Sequence, residues 1–112
     1  MNNNALVLYN LLNENFENVN RVLGLKEEKF LKSEDCLNYG YGLILKIREL
    51  FINMNKEILF SNNYLNKVSK EMYILDEKLL NYHNQINGYL VYDFLNSEYK
   101  LIFEEMSKVL KI

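Results

Sequence analysis

The chain has 112 residues, of which 49 % are hydrophobic and 25 % are charged, a composition typical of a globular domain and not of a disordered chain. We therefore expect one domain spanning residues 1–112. Its 13 basic and 15 acidic side chains give a net charge of −2 and are mixed along the chain, which argues against a nucleic-acid partner because phosphates are bound by clustered Lys and Arg.

The sequence carries no targeting or membrane signal that we can identify. The N-terminal segment has no basic stretch ahead of a long apolar run, so it does not predict a secretory signal. No stretch is apolar over the length that a bilayer requires. The single cysteine, Cys36, cannot form an internal disulfide. These features predict a cytoplasmic protein without a membrane partner.

A seven-residue repeat of apolar side chains is the strongest structural signal. Every seventh position from Tyr9 to Ile86 holds a large apolar residue, and a companion column three residues further on is apolar at most positions. This 3-4 spacing indicates helices that bury one face. The chain has no proline, so helix is permitted almost everywhere.

Interruptions in the repeat divide it into helices. The first predicted helix runs from about Asn4 to Leu23 and ends at Gly24, which we expect to form a left-handed C-cap. Ser33, followed by two acidic residues, is typical of an N-cap and predicts a second helix that continues to about Phe60.

Two further helices complete the prediction. The turn-forming cluster at residues 61–63 opens a third helix, which has an uninterrupted apolar seam from Leu65 to Ile86 and ends at Asn87-Gly88. A fourth apolar stripe runs in a shifted phase from Tyr92 to Val109.

The pattern predicts an all-α fold in which about four helices form a compact bundle. Because the seam keeps its phase across residues 61–63, an alternative is that the second and third helices form one rod of about 75 Å. The protein would then be an elongated helical hairpin or coiled coil that needs a partner chain to cover its seam.

The sequence offers few groups for catalysis or metal binding. One Cys and one His cannot make a zinc site, and no acidic residue precedes His83 by three positions as in the metal sites of helical bundles. Cys36 has no recognisable base or orienting group, so we expect a structural role. Gly40-Tyr41-Gly42 lacks the length and the lysine of a phosphate-binding loop, which favours a close helix contact or a kink. We expect no enzyme activity, no cofactor and no metal.

His83 supports an alternative function. The repeat places it beside the seam on the flank of the third helix, where a histidine side chain stays accessible. The stretch from His83 to Asn87 resembles the His-x-x-x-Asn arrangement in the helical hairpins of some sensor-kinase relatives. The resemblance implies a histidine phosphotransfer domain that uses His83, although no lysine or arginine follows within the next turn to hold a phosphoryl group.

Positions beside the seam are apolar where a solvent-facing helix would be polar. These positions are our candidate partner-binding residues: Leu45, Ile52, Leu59, Tyr73 and Leu80. Leu45, Ile52 and Leu59 belong to the second predicted helix and, with Leu43 and Leu50, make it apolar nearly all round, whereas Tyr73 and Leu80 continue the column in the third. One interpretation is a central helix covered by the first and fourth helices, and the other is a second face that docks another protein or another copy of this chain.

The predicted function is a non-enzymatic protein-protein interaction module that binds through apolar helix faces. Adaptors, chaperones and inhibitors of larger machines, including small bacterial, phage or defence-related proteins, fit this description. The alternatives are a histidine phosphotransfer domain using His83 and a structural coiled-coil homo-oligomer, such as a homodimer.

Overall fold

The computed structural model describes residues 3–81, 83 and 85–112. This part of the chain is all-α and measures 40 × 29 × 22 Å along its principal axes, which confirms the predicted compact helical fold. A rod of about 75 Å does not fit within these dimensions, so the elongated alternative is wrong. The predicted seam position Tyr82 and residue Asn84 of the phosphotransfer-like stretch lie outside the described residues.

The described residues form a chain of helices joined by short turns. Their bounds are α1 Asn4–Leu23, α2 Glu27–Lys32, α3 Glu34–Ile52, α4 Lys56–Phe60, α5 Asn63–Met72, α6 Leu75–Leu79, α7 Gly88–Asp93 and α8 Tyr99–Leu110. A π-helical segment, Phe94–Glu98, joins α7 to α8 without a break. Four long stretches therefore dominate this part of the fold: α1, α3, α5 and the continuous α7–α8 unit.

Polar side chains begin several of these helices by accepting backbone N–H groups that have no partner within the helix. Ser33 accepts from the Cys36 amide at 3.3 Å, as predicted, and Asn62 accepts from the Leu65 amide at 3.0 Å. Asn87 caps α7 in the same way, so Asn87-Gly88 starts a helix here.

The core lies between α1, α3, α5 and α8. Tyr99 is its largest fully buried side chain, and its hydroxyl donates a hydrogen bond to the Leu12 carbonyl in α1. Phe103 packs against the rings of Tyr9 and Phe16, with both centroid distances at 5.4 Å, and closes the α1–α8 side.

Of the two glycines in α3, Gly40 is closely packed and Gly42 is not. A Cβ atom built on Gly40 would lie 2.9 Å from Val91 Cγ1 and 3.1 Å from Leu95 Cδ1, which confirms the predicted close helix contact. A Cβ atom on Gly42 would meet nothing within 4 Å. Gly40 is therefore required by the packing of α3 against α7 and the π segment, whereas Gly42 faces an open groove between α1 and α3.

Three predictions of local structure are wrong. Gly24 does not adopt a left-handed conformation, because its φ is −69°. The second predicted helix ends at Ile52, and a turn at residues 53–55 separates it from α4. The third ends at Met72, and after the short α6 the chain forms a single antiparallel bridge between Leu80 and Ile86.

Candidate functional site

Arg48 of α3 binds the backbone carbonyl groups at the break between α5 and α6. Its Nε donates to the Met72 carbonyl at 2.8 Å, and Nη2 lies 3.5 Å from the Tyr73 carbonyl oxygen. These carbonyl groups lie at the C-terminal end of α5, where no amide of the helix donates to them. A cationic donor at this position therefore stabilises the end of the helix. Nη1 also lies 3.5 Å from Asp76 Oδ2, but both side chains are partly exposed, which makes this ion pair a minor contribution.

Tyr73 and Ile74 form the break and project into solvent. Their exposed fractions are 60 % and 47 %, among the larger values for apolar side chains in this protein. Their backbone is tied to α3 through Arg48, so these two side chains are presented from a fixed position.

The same side of α3 carries Leu45 and Ile52, three residues before and four residues after Arg48. Positions at this spacing are neighbours on a helix surface, and both side chains are half-buried. We define the Arg48 face by five residues: Leu45, Arg48, Ile52, Tyr73 and Ile74. It combines an exposed aromatic ring, three aliphatic side chains and an arginine fixed by hydrogen bonds.

The five predicted partner-binding residues do not form one surface. Leu45, Ile52 and Tyr73 lie on the Arg48 face. Leu59 packs in the core with 6 % of its surface exposed, so its side chain is not available to a partner. Leu80 is half-buried in its bridge with Ile86, beyond α6.

α3 is the central helix of the described fold, in contact with α1, α2, α5 and α7. Leu43 is 5 % exposed and Leu50 is half-buried. Burial against these neighbours therefore explains most of the apolar surface of α3, in agreement with the interpretation of a central helix. The interaction hypothesis retains only the side that bears Arg48.

His83 does not lie on a helix flank, and that part of the prediction is wrong. It occupies the loop between α6 and α7, which is closed by hydrogen bonds from the Asn81 amide to the Gln85 carbonyl and from the Asn87 amide to the Leu79 carbonyl. His83 is exposed and has a φ of 72°, a left-handed conformation that a right-handed α-helix excludes. The helical presentation on which the phosphotransfer hypothesis depended is therefore missing.

Cys36 lies half-buried in the first turn of α3, above the Ser33 cap. Among the residues that the structure describes, no three His, Cys, Asp or Glu side chains are grouped as a metal site would require. Within that same part of the chain, no helix combines the length and apolar character needed to cross a membrane.

Comparisons of the chain with protein families, with curated proteins and with solved structures find no match. The functional interpretation therefore depends on the chain's own residues, and the Arg48 face is the candidate site.

Proposed function

We propose that this protein is a non-enzymatic interaction module that binds another protein through the Arg48 face. The observation that carries the proposal is the pair of exposed apolar side chains at the α5–α6 break, Tyr73 and Ile74. Tyrosine and arginine are enriched in the small set of residues that dominate binding energy at protein interfaces. An adaptor, chaperone or inhibitor would act through such a surface.

Tyr73 alone could supply a substantial part of the affinity. An aromatic side chain buries roughly 200 Å² when fully covered, so the 60 % of Tyr73 that is still exposed corresponds to about 120 Å². At about 25 cal/mol per Å², covering it contributes about 3 kcal/mol. Because Arg48 already fixes the backbone at this position, little ordering of the loop opposes that gain.

The test is the affinity of the purified chain for a partner captured from its native host, measured by calorimetry with a matched pair of double variants. Tyr73→Ser with Ile74→Ser removes the exposed pair of the Arg48 face. Phe60→Ser with Leu101→Ser removes side chains of similar exposure, 65 % and 45 %, on α4 and α8.

We expect the first variant to weaken binding about a hundredfold or more and the second about twofold or less. Both variants should unfold at the wild-type urea concentration, because the altered side chains are exposed. Equal weakening by the two variants, or none, would contradict the proposal. If light scattering instead shows a wild-type dimer that the first variant dissociates, the partner is a second copy and the homo-oligomer alternative is correct.

A further inference from the structure

A groove of about 220 Å³ lies between the α5–α6 side of the molecule and the π segment. Its floor is apolar, and its apolar lining residues are Leu75, Leu79, Leu90 and Phe94. A smaller recess of about 50 Å³ continues from it towards α5 and shares Leu75 and Phe94. None of the five residues that define the Arg48 face lines this groove, so the two surfaces can be tested independently.

The rim of the groove is predominantly acidic. Glu71, Asp93 and Glu98 contribute carboxylates, and Lys78 contributes the single ammonium group among its described lining residues. Glu98 accepts a hydrogen bond from the Tyr64 hydroxyl and is thereby fixed in place. Within the described part of the chain, the side chains of Glu71 and Asp93 take part in no ion pair.

The electrostatics of Tyr64 agree with this arrangement. Burial raises the pKa of Tyr64, and the hydrogen bond and negative charge of Glu98, followed by the charge of Glu71, raise the Tyr64 pKa further. The carboxylates of Glu71 in α5 and Glu98 in the π segment therefore both lie close enough to Tyr64 to affect its pKa. Three carboxylates against the one ammonium group of Lys78 leave the groove lining with a net negative charge, which attracts a cation.

The π segment shapes this groove. A π turn holds one more residue than an α turn and so shifts the positions of the side chains that follow. Phe94 can then lie in the groove floor while Glu98 reaches Tyr64 and Tyr99 enters the core. The backbone of the α7–α8 unit thus positions Phe94 and Glu98, whereas Glu71 reaches the groove from α5.

We infer that the groove binds a basic amphipathic segment of another polypeptide. An apolar side chain of the segment packs on Leu75 and Phe94, and neighbouring Lys or Arg side chains meet Glu71 and Asp93. The acidic rim favours basic side chains and the apolar floor favours an apolar one, so a basic amphipathic segment fits both parts of the groove. A bare metal ion is not favoured, because the described acidic residues include no group of three placed to coordinate one.

The experiment uses fluorescence anisotropy with three labelled peptides of equal length. One combines leucine and lysine in helical spacing, the second replaces lysine by glutamate, and the third is oligolysine. We expect saturable binding of the first peptide alone, with an affinity that falls as salt is added. No saturable binding of the leucine-lysine peptide, tighter binding of the glutamate peptide, or equally tight binding of oligolysine would overturn the inference.

Matched charge reversals locate the site. Glu71→Lys with Asp93→Lys should raise the Kd of the leucine-lysine peptide by about tenfold or more. Glu17→Lys with Glu104→Lys changes net charge equally at exposed positions on α1 and α8 and should change the Kd about twofold or less. Equal effects of both pairs would show binding to net charge alone. An effect of Tyr73→Ser without an effect of the groove pair would place the peptide on the Arg48 face. Either result overturns the inference.

Discussion

Two glycines of α3, separated by one residue, should respond oppositely to the same substitution. In a helix interior, alanine is more favourable than glycine by roughly 0.5–1 kcal/mol, because glycine loses more backbone entropy on folding. Gly42→Ala adds a methyl group that meets nothing within 4 Å. The variant should therefore gain that amount in the free energy of unfolding.

Gly40→Ala adds the same methyl group against the side chains of Val91 in α7 and Leu95 in the π segment. The new carbon would lie 2.9 Å from Val91 Cγ1, and Val91 is fully buried and has a stiff, β-branched side chain. Overpacking of a core costs about 1–3 kcal/mol. After the gain in helix propensity, we expect a net loss of about 1 kcal/mol, so the two variants should differ by about 2 kcal/mol.

Urea unfolding followed by circular dichroism at 25 °C measures both values, and the slope of the transition should not change. In thermal unfolding, the difference corresponds to about 8 °C or more for a domain of this size. If both alanines stabilise the protein equally, α3 and α7 do not approach each other as described. If both destabilise it, Gly42 is enclosed by contacts that this fold does not contain.

Substitutions at two other positions test the core and the pH dependence of stability. Tyr99→Phe should lower the free energy of unfolding by about 1 kcal/mol, because it removes only the hydroxyl that donates to the Leu12 carbonyl. Tyr99→Ala also removes the ring and should lower it by about 3–5 kcal/mol. Equal losses in the two variants would contradict the buried packing of the ring. Hydrogen bonds from Asn62 and then from Lys108 lower the pKa of Glu105 below its ordinary value of 4.5. The ionised Glu105 therefore stabilises the fold above pH 4.5, and this contribution is lost as the pH falls through the lowered pKa. Glu105→Gln should flatten this part of the curve of stability against pH, and an unchanged acid slope would show that the contact is weak.

The parts of the fold that short-range chemistry decides could be predicted from the sequence. The first helix occupies Asn4–Leu23 as predicted, because its apolar spacing is regular over the whole length. The caps at Ser33 and Asn62 follow from side-chain oxygens placed before an apolar run. Each of these signals lies within a few residues of the structure that it determines.

The helix ends at Ile52 and Met72 were missed for a different reason. Phe51, Leu65 and Leu79 belong to the seven-residue repeat and are all buried although the backbone breaks between them, so the repeat reports which side is covered and not whether the helix is continuous. At residues 53–55, asparagines were available as a turn signal, and Asn55 does cap α4 through the Glu57 amide. The apolar repeat continues across this turn signal and therefore conceals it.

The break that invalidated the third predicted helix also produces the candidate site. In a continuous helix, the Met72 and Tyr73 carbonyls would accept from amides four residues later, and no reason would exist for an arginine to approach them. Arg48 lies 24 residues earlier in the chain, so no local pattern could reveal this contact. Ile74, which the sequence placed inside a helix, joins Tyr73 at the surface only because the helix stops. The predicted residues Leu45 and Ile52 lie beside Arg48 because of their spacing on α3, whereas the exposed pair that carries the proposal depends on a tertiary hydrogen bond.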